Sequence, residues 1–254
     1  MLEILYRDDY LAAVAKPPGL LVHRTGLDAG ETRFALQMLR DQLERTVWPA
    51  HRLDKGTSGV LLFALDAETA RALGQQFEAG GTIRKTYLAM VRGWPAREGL
   101  IDHPLSRLPD DQRRPRRGAT GRPGSMERGL DGRPLAVEVQ DALTRYHALA
   151  RHELPLAQGN FAQTRCALVA LSPLTGRRHQ LRRHLKHIAH PIIGDATHGK
   201  GPLNRSVAGL LGVQRLWLHA SRLELAHPVT GQPLVIEGMP GEEWARWRPF
   251  ENTT

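Results

Sequence analysis

Apolar residues in this chain occur in short runs that glycine- and proline-rich turns separate, which is the pattern of a strand-rich fold. Leu11–Ala15 is one such run, and it stops at the rigid turn Lys16-Pro17-Pro18-Gly19. The uninterrupted run Val60–Leu65 is bounded by turn residues and therefore predicts a buried strand. Further strands are predicted over residues 83–91, 135–150, 166–171, 216–225 and 234–236. The 216–225 segment alternates apolar with polar or aromatic residues, so we expect it to be half exposed.

Helical spacing of apolar residues predicts three longer helices and a short tryptophan-bearing helix near the end of the chain. The first is expected over residues 31–45. The second begins after Asp66, a typical N-cap residue, and ends at Gly80-Gly81. The third runs from about Arg177 to Ala189. Because strands outnumber helices and hairpin-like turns are common, we expect an α+β fold with a mixed, mostly antiparallel sheet and flanking helices.

Residues 106–134 differ in composition from the rest of the chain. They contain eight arginines and four acidic residues, a net charge of +4, with many glycines and prolines and few aliphatic side chains. Such a segment cannot form a packed core, so we expect a flexible, arginine-rich insertion. It could bind phosphates, or it could be an inert surface loop. We find no internal repeat and no linker long enough to require two domains, so residues 1–254 are expected to form a single domain.

The charge and the cysteine content narrow the classes of function. A formal net charge of +9 favours a polyanionic partner, above all nucleic acid, over a basic surface without a partner. Cys166 is the only cysteine, which excludes an intramolecular disulfide and a cysteine zinc site. The N-terminus lacks the pattern of a signal peptide, and no stretch approaches the length of a membrane span. We therefore expect a cytoplasmic protein with no membrane partner.

The segment His51–Gly59 contains several side chains that could take part in catalysis, close together in the sequence. Asp54 lies between cations and is followed by a Gly-Thr-Ser-Gly turn, directly before the predicted strand 60–65. This position on a loop anchored to a sheet is one where reactive side chains are often held. The carboxylate of Asp54, with Arg52 nearby, is a candidate nucleophile or base, although the pattern fits a salt-bridged turn equally well.

A second basic segment, residues 175–187, is predicted to begin with cations at a helix N-terminus. Arg178, Arg182 and Lys186 form a basic stripe along it. Cations at the positive end of a helix dipole are unfavourable unless an anion lies close by. We therefore expect a negative partner, either Asp54 or an RNA phosphate, and the alternative is a solvated basic face.

Four histidines occur close together at positions 179, 184, 187 and 190. They do not form a His-Glu-x-x-His pattern, no carboxylate lies among them, and the surrounding cations would repel a metal ion. The sequence also lacks a glycine-rich phosphate-binding loop. We expect neither a metal nor a cofactor.

Five segments, in this order, resemble the motifs of the RluA-type pseudouridine synthases, and the resemblance covers nearly the whole chain. They are Lys16–Gly19 (K-P-x-G), His51–Gly59 (H-R-L-D-x-x-T-S-G), Lys85–Gly93 (K-x-Y-x-A-x-V-x-G), Thr175–His184 (T-G-R-x-H-Q-L-R-x-H), and Leu218–Ala220 with His227–Gly231. Within the family, the chain most resembles the branch that modifies uridine 65 of tRNA. That similarity is carried by residues 21–24, 182–185, 194–199 and 204–205.

The resemblance implies the family's catalytic fold as a single domain, with no room for the S4-like RNA-binding domain that precedes it in some members. It implies that a specific uridine of tRNA, at position 65, is isomerised to pseudouridine by base flipping and an Asp-dependent glycosidic rearrangement. The same chemistry on ribosomal RNA is an alternative, and a non-catalytic RNA-binding or chaperone module is a second. The reaction needs no cofactor. We expect a monomer whose partner is RNA, without an obligatory protein partner.

The resemblance also implies a role for five residues. Asp54 is the catalytic residue, which either adds to the sugar or removes its 2′ proton towards a glycal. Arg182 is the expected ionic partner of Asp54, with phosphate binding as its alternative role. Tyr87 would stack on the uracil, and Leu218 would close the pocket. Arg52 would fill the gap that the flipped nucleotide leaves.

Overall fold

A ten-stranded sheet forms the centre of the computed structural model, which describes residues 1–24, 30–79, 81–107 and 138–252. The sheet strands are β1 (Glu3–Arg7), β2 (Leu11–Lys16), β3 (Trp48–Pro49), β4 (Ser58–Ala64), β5 (Arg84–Arg92), β6 (Glu98–Asp102), β9 (Leu143–Leu154), β10 (Thr164–Pro173), β11 (Leu218–Ala226) and β12 (Pro233–Glu237). Two further strands, β7 (Leu105–Ser106) and β8 (Val139–Gln140), pair with each other. The helices are α1 (Ala35–Leu43), α2 (Ala67–Ala79), α3 (Gln180–His187), α4 (Gly201–Leu211) and a 3₁₀ helix, Glu242–Phe250.

The strand order is β1-β2-β4-β11-β5-β10-β9-β6, with β3 beside β4 and β12 beside β11. Among the strands described, β4 and β11 are the one parallel pair, and the other pairs are antiparallel. The predicted α+β fold with a mixed, mostly antiparallel sheet is therefore confirmed.

The core lies on both faces of β4, which is buried along its whole length. Leu61 and Phe63 pack on one face with Leu39 of α1. Leu62 packs on the other face with Leu73 of α2. Because side chains alternate between the faces of a strand, a continuous apolar run is the pattern required here. The predicted buried strand at 60–65 is confirmed.

The helix predictions were right in kind and wrong at some ends. Asp66 accepts hydrogen bonds from the backbone N–H and the hydroxyl of Thr69, at 2.8 and 2.7 Å, so the predicted N-cap of α2 is present. The third predicted helix begins at Gln180 rather than at Arg177. Helix α4 was not predicted.

The prediction that residues 216–225 form a half-exposed strand was wrong for the first half of β11. Leu218, His219 and Ala220 are all buried, and so is Trp217, directly before the strand. The reason is that β11 lies between β4 and β5 in the middle of the sheet, so other elements cover both of its faces. Alternation along a strand does not reveal its place in a sheet.

The predicted arginine-rich insertion at 106–134 lies outside the described residues except for Ser106 and Arg107. The described residues on either side of this segment lie close together, because the N–H of Arg107 donates a hydrogen bond to the carbonyl of Glu138 at 2.7 Å. In the part of the chain that the structure describes, no helix has the length and apolar character needed to cross a membrane.

Candidate active site

Asp54 lies on the loop that leads into β4, and the N-terminal turn holds this loop in place. The carbonyl of Lys55 accepts hydrogen bonds from Lys16 Nζ at 3.1 Å and from Gly19 N–H at 2.8 Å. Lys16 is buried and also donates to the carbonyls of Pro17 and Leu20. Burial lowers the pKa of Lys16 to about 7, although the charge of Asp54 opposes this shift.

The other end of the loop is held by a close approach of β4 and β11. Gly59 has φ = +109°, and a Cβ there would lie 2.1 Å from the Ala220 carbonyl oxygen. Only glycine fits such a contact. Next to it, Ser58 Oγ accepts from Arg215 Nη2 at 2.7 Å and lies 2.9 Å from His219 Nδ1. The start of β4 is therefore rigid, and so is the loop that it carries.

Arg182, on the first turn of α3, joins two carboxylates. Its Nη1 donates to Asp54 Oδ2 at 2.9 Å, so the predicted pair of Asp54 and Arg182 is present. Its Nε and Nη2 donate to both carboxylate oxygens of Asp195, at 2.7 and 2.8 Å. The side chain of Asp195 is 0% exposed, whereas that of Asp54 is 29% exposed. Asp195 therefore fixes the guanidinium, which in turn holds Asp54 at the surface of a cleft.

These contacts set the charges of the group. Burial disfavours the charged form of Arg182, but the hydrogen bonds and charges of Asp195 and Asp54 outweigh it and raise its pKa. Burial likewise opposes ionisation of Asp195. Its hydrogen bonds from Arg182, His198 N–H and Thr197 N–H outweigh burial and lower its pKa. Both groups are charged at neutral pH.

Sequence reasoning predicted an anion near the start of this helix and missed the one that is buried. The expected partners were Asp54 and RNA phosphate, and Asp195 was assigned no role. The available signal was the Gly194-Asp195 pair, which belongs to the branch-like segment 194–199. Gly194 has φ = +79°, and a Cβ there would lie 1.7 Å from the Arg215 carbonyl oxygen, so the turn that presents Asp195 requires glycine.

Two clefts meet at Asp54. The smaller, of about 500 Å³, is lined by all five residues predicted for the site, namely Arg52, Asp54, Tyr87, Arg182 and Leu218. Apolar side chains complete its wall: Phe77, Ile83, Leu174 and Leu181. The larger, of about 770 Å³, shares Arg52, Asp54 and Arg182 and is otherwise rich in cations, which are Lys55, Arg107, Arg177, Arg178 and Arg183. An aromatic, partly apolar cleft thus opens beside an electropositive one.

Tyr87 and Leu218 lie on neighbouring strands behind Asp54. They belong to one apolar cluster, and β5 and β11 pair at Ala220–Tyr87 and Leu218–Ala89. Burial and the charge of Asp54 raise the pKa of the Tyr87 phenol, so it is neutral at physiological pH. Arg52 is exposed at the rim that both clefts share.

His179, which the sequence did not select as a site residue, lies beside Asp54, and it contacts a second histidine, His198. His179 Nε2 is 3.8 Å from Asp54 Oδ1, and His179 Nδ1 is 3.1 Å from His198 Nε2. Burial lowers the pKa of His179, and it lowers that of His198 to about 4. Within the described ranges, no group of three or more His, Cys, Asp or Glu side chains could hold a metal ion.

A mixed sheet that presents a carboxylate–guanidinium pair between an aromatic and a cationic cleft suits an enzyme that acts on a nucleotide of RNA. Residues 10–187 match the RNA pseudouridylate synthase family, and the chain belongs to this family. The protein is an isomerase that converts uridine in RNA to pseudouridine, as the motifs predicted.

The chain is similar to particular members of that family. It is 46% identical to tRNA pseudouridine synthase C of Haemophilus ducreyi over 243 residues, which span 96% of this chain and 93% of the relative. It is 48% identical to the protein of the same name from Salmonella typhi over 247 residues, 96% and 87% of the two chains. Among solved structures, human RNA pseudouridylate synthase domain containing 1 superposes with a TM-score of 0.70 at 26% identity, covering 100% of this chain and 89% of that chain.

Proposed function

We propose that the protein isomerises a uridine of tRNA, the one at position 65, to pseudouridine. The observation that carries this proposal is the contact of 2.9 Å between Asp54 and Arg182 at the junction of the two clefts. The choice of tRNA is supported by relatives that are 46% and 48% identical and bear the name tRNA pseudouridine synthase C. The choice of position 65 rests on the branch-like motifs.

Asp54 is the catalytic residue of this proposal. The reaction breaks the bond between N1 and C1′ and forms one between C5 and C1′. An ionised Asp54 either adds to the sugar or takes its 2′ proton towards a glycal. Arg182 orients the carboxylate, because its Nη1 donates to Asp54 Oδ2 at 2.9 Å. Asp195 prevents Arg182 from turning away, since it holds Nε and Nη2.

The two clefts bind different parts of the substrate, the base in one and the backbone phosphates in the other. The uracil enters the smaller cleft, where Tyr87 stacks on the ring and Leu218 closes the wall. Arg52 fills the gap that the extruded nucleotide leaves in its stem. The cation-rich larger cleft binds phosphates of the flanking nucleotides. Contacts of this kind position the RNA, and the smaller cleft selects the base.

Two alternatives are less well supported. A non-catalytic RNA-binding or chaperone module would not need a half-exposed aspartate held by a buried ionic partner in a cleft lined by an aromatic ring. Ribosomal RNA as the substrate would use the same chemistry, but the relatives' names favour tRNA. We further propose that the protein acts in the cytoplasm, as a monomer that consists of one catalytic domain.

Incubation with RNA tests the proposal. Total RNA from a strain that lacks the corresponding enzyme is treated with the purified protein, and pseudouridine is then mapped chemically. We expect new pseudouridine at position 65 of tRNA. New signal only in ribosomal RNA would transfer the proposal to that substrate, and no signal from a folded protein would refute it.

A further inference from the structure

His179 lies in the active site and contacts His198, which lines neither cleft. His179 lines both clefts, and its side chain is 18% exposed. It adopts a left-handed conformation, with φ = 54° and ψ = 25°, directly before α3. Residues other than glycine rarely adopt this conformation, and it occurs preferentially at functional sites. The backbone therefore holds the imidazole beside Asp54 at a conformational cost.

The isomerisation leaves one proton to be moved. After C1′ has transferred from N1 to C5, C5 carries both its original hydrogen and the sugar. Loss of the C5 proton returns that bond's electron pair to the C5–C6 double bond of the ring. N1, which kept the electron pair of its bond to C1′, takes up a proton from water. A base near C5 is therefore needed. Formation of the C5–C1′ bond releases Asp54 from the sugar, but one of its carboxylate oxygens is held by Arg182, so a second base beside it is a candidate.

We propose that His179 accepts the C5 proton, with His198 as the positioning residue that fixes its tautomer; the inference rests on the proposed function. In this arrangement His179 Nδ1–H donates to His198 Nε2, and the lone pair of His179 Nε2 faces the site. The protonated imidazole then releases its proton to water. Nε2 is suitably placed because it lies 3.8 Å from the carboxylate against which the sugar reacts.

The charges around the pair keep it neutral and thus able to accept a proton. Burial lowers the pKa of both imidazoles. The charged groups that act on His179 are Asp54, Arg182, Arg178 and Asp195, and those that act on His198 are Asp195, Arg182 and Lys186, with His179 as its titratable neighbour. The cations reinforce the effect of burial, and the carboxylates oppose it. A neutral histidine with one nitrogen held by a partner is the usual form of a general base.

The substitution His179→Gln tests this role with two substrates. On a tRNA substrate that contains uridine, we expect single-turnover isomerisation to slow about 10²-fold, the lower end of the effect of general base catalysis. On the same tRNA with 5-fluorouridine at the target position, C5 carries fluorine and no proton. The variant and the wild type should therefore transfer C1′ from N1 to C5 of this substrate at the same rate. His147→Gln is the matched control, because His147 is exposed on β9 and lines neither cleft.

His198 is tested by two variants. His198→Gln keeps a carbonyl that can accept from His179 Nδ1–H and should retain more activity on uridine than His198→Ala. Neither variant should lose rate on 5-fluorouridine. Equal losses on both substrates, or no loss in His179→Gln, would overturn the role of the pair and leave the proposed function intact. Failure of the wild type on tRNA uridine would overturn the proposed function and this inference with it.

Discussion

Arg182 contacts one carboxylate that is partly exposed and another that is completely buried. The buried carboxylate of Asp195 satisfies two guanidinium nitrogens, so only Nη1 points to Asp54. A planar guanidinium held by two parallel hydrogen bonds has little freedom to rotate. The orientation of the Asp54 carboxylate is thus set from within the core.

Asp54→Asn removes the ionisable group and leaves the shape of the side chain unchanged. We expect the variant to fold and to retain much of its affinity for RNA, because the cation-rich cleft is intact. It should form no detectable pseudouridine. Circular dichroism, RNA binding and a pseudouridine assay check the three points, and turnover near the wild-type rate would remove Asp54 from the mechanism.

Asp195→Asn breaks the buried ion pair with Arg182. We expect the free energy of unfolding to fall by about 3 kcal/mol, because the buried guanidinium loses its bidentate carboxylate and keeps only the partly exposed Asp54 as an ionic partner. Because its pKa is lowered in the folded state, Asp195 stabilises the protein above the unfolded pKa of about 3.9 and loses this effect as the pH falls through the folded value.

Urea denaturation of both proteins between pH 3 and 7 measures this effect. The difference in stability should be constant above about pH 4.5 and shrink at lower pH. Asp102→Asn, at an exposed position of β6, is the control and should change stability little. A difference that grows towards low pH would contradict the assignment.

Only part of the ionic site could be predicted from single residues. The unfavourable cations near a helix N-terminus correctly indicated an anion, and the motifs correctly predicted the contact of Asp54 with Arg182. Asp195 was missed because it is 13 positions from Arg182, and their contact depends on how residues 188–195 fold back. No local pattern distinguishes such an aspartate from one in an ordinary turn.

At the scale of elements, the contact of β4 with β11 decides where the loop that carries Asp54 lies. Parallel pairing at Ser58–His219 and Gly59–Ala220 joins the start of β4 to the start of β11. Helix α4 supports the opposite wall, because Asn204 accepts from Gly194 N–H and donates to the Asp195 carbonyl, both at 2.9 Å.

Gly59→Ala should disrupt the junction of β4 and β11. The new methyl group would overlap the Ala220 carbonyl in a backbone conformation that side chains rarely adopt. We expect a loss of about 3 kcal/mol in unfolding free energy, together with reduced activity. Gly74→Ala in α2 is the matched control, since no atom lies within 4 Å of the position that the new Cβ would take. It should gain about 0.5–1 kcal/mol. Equal effects in thermal denaturation would disprove the packing argument.

Elements with strong local signals were predictable, and those that depend on tertiary contacts were not. Helix α2 has a capping aspartate and an apolar stripe. Helix α4 buries Leu203, Val207 and Leu211 at helical spacing, but Gly201, Pro202 and Gly209 obscure the pattern. Its stability comes from packing against the core, which propensity does not report.

At the scale of the whole molecule, the net charge of +9 is expected to control association with RNA. If about six phosphates are neutralised, raising the salt concentration from 50 to 200 mM should weaken binding about 10³-fold. Arg178→Ala, in the larger cleft, should reduce the slope of log K against log salt by about one. Arg40→Ala, on the exposed face of α1, is the control and should leave the slope unchanged. Filter binding at several salt concentrations measures the slope for the wild type and for both variants. A slope for Arg178→Ala equal to that of the wild type would argue against a phosphate contact at Arg178.

The parallel pairing of β4 with β11 also has a consequence for biosynthesis. The ribosome makes Gly59, next to the loop of Asp54, more than 160 residues before its partner Ala220. Strands so distant in the chain can pair only after the intervening polypeptide has emerged. A nascent chain that stops before β11 therefore lacks a central strand of the sheet, and the loop of Asp54 reaches its final position only after β11 has been synthesised.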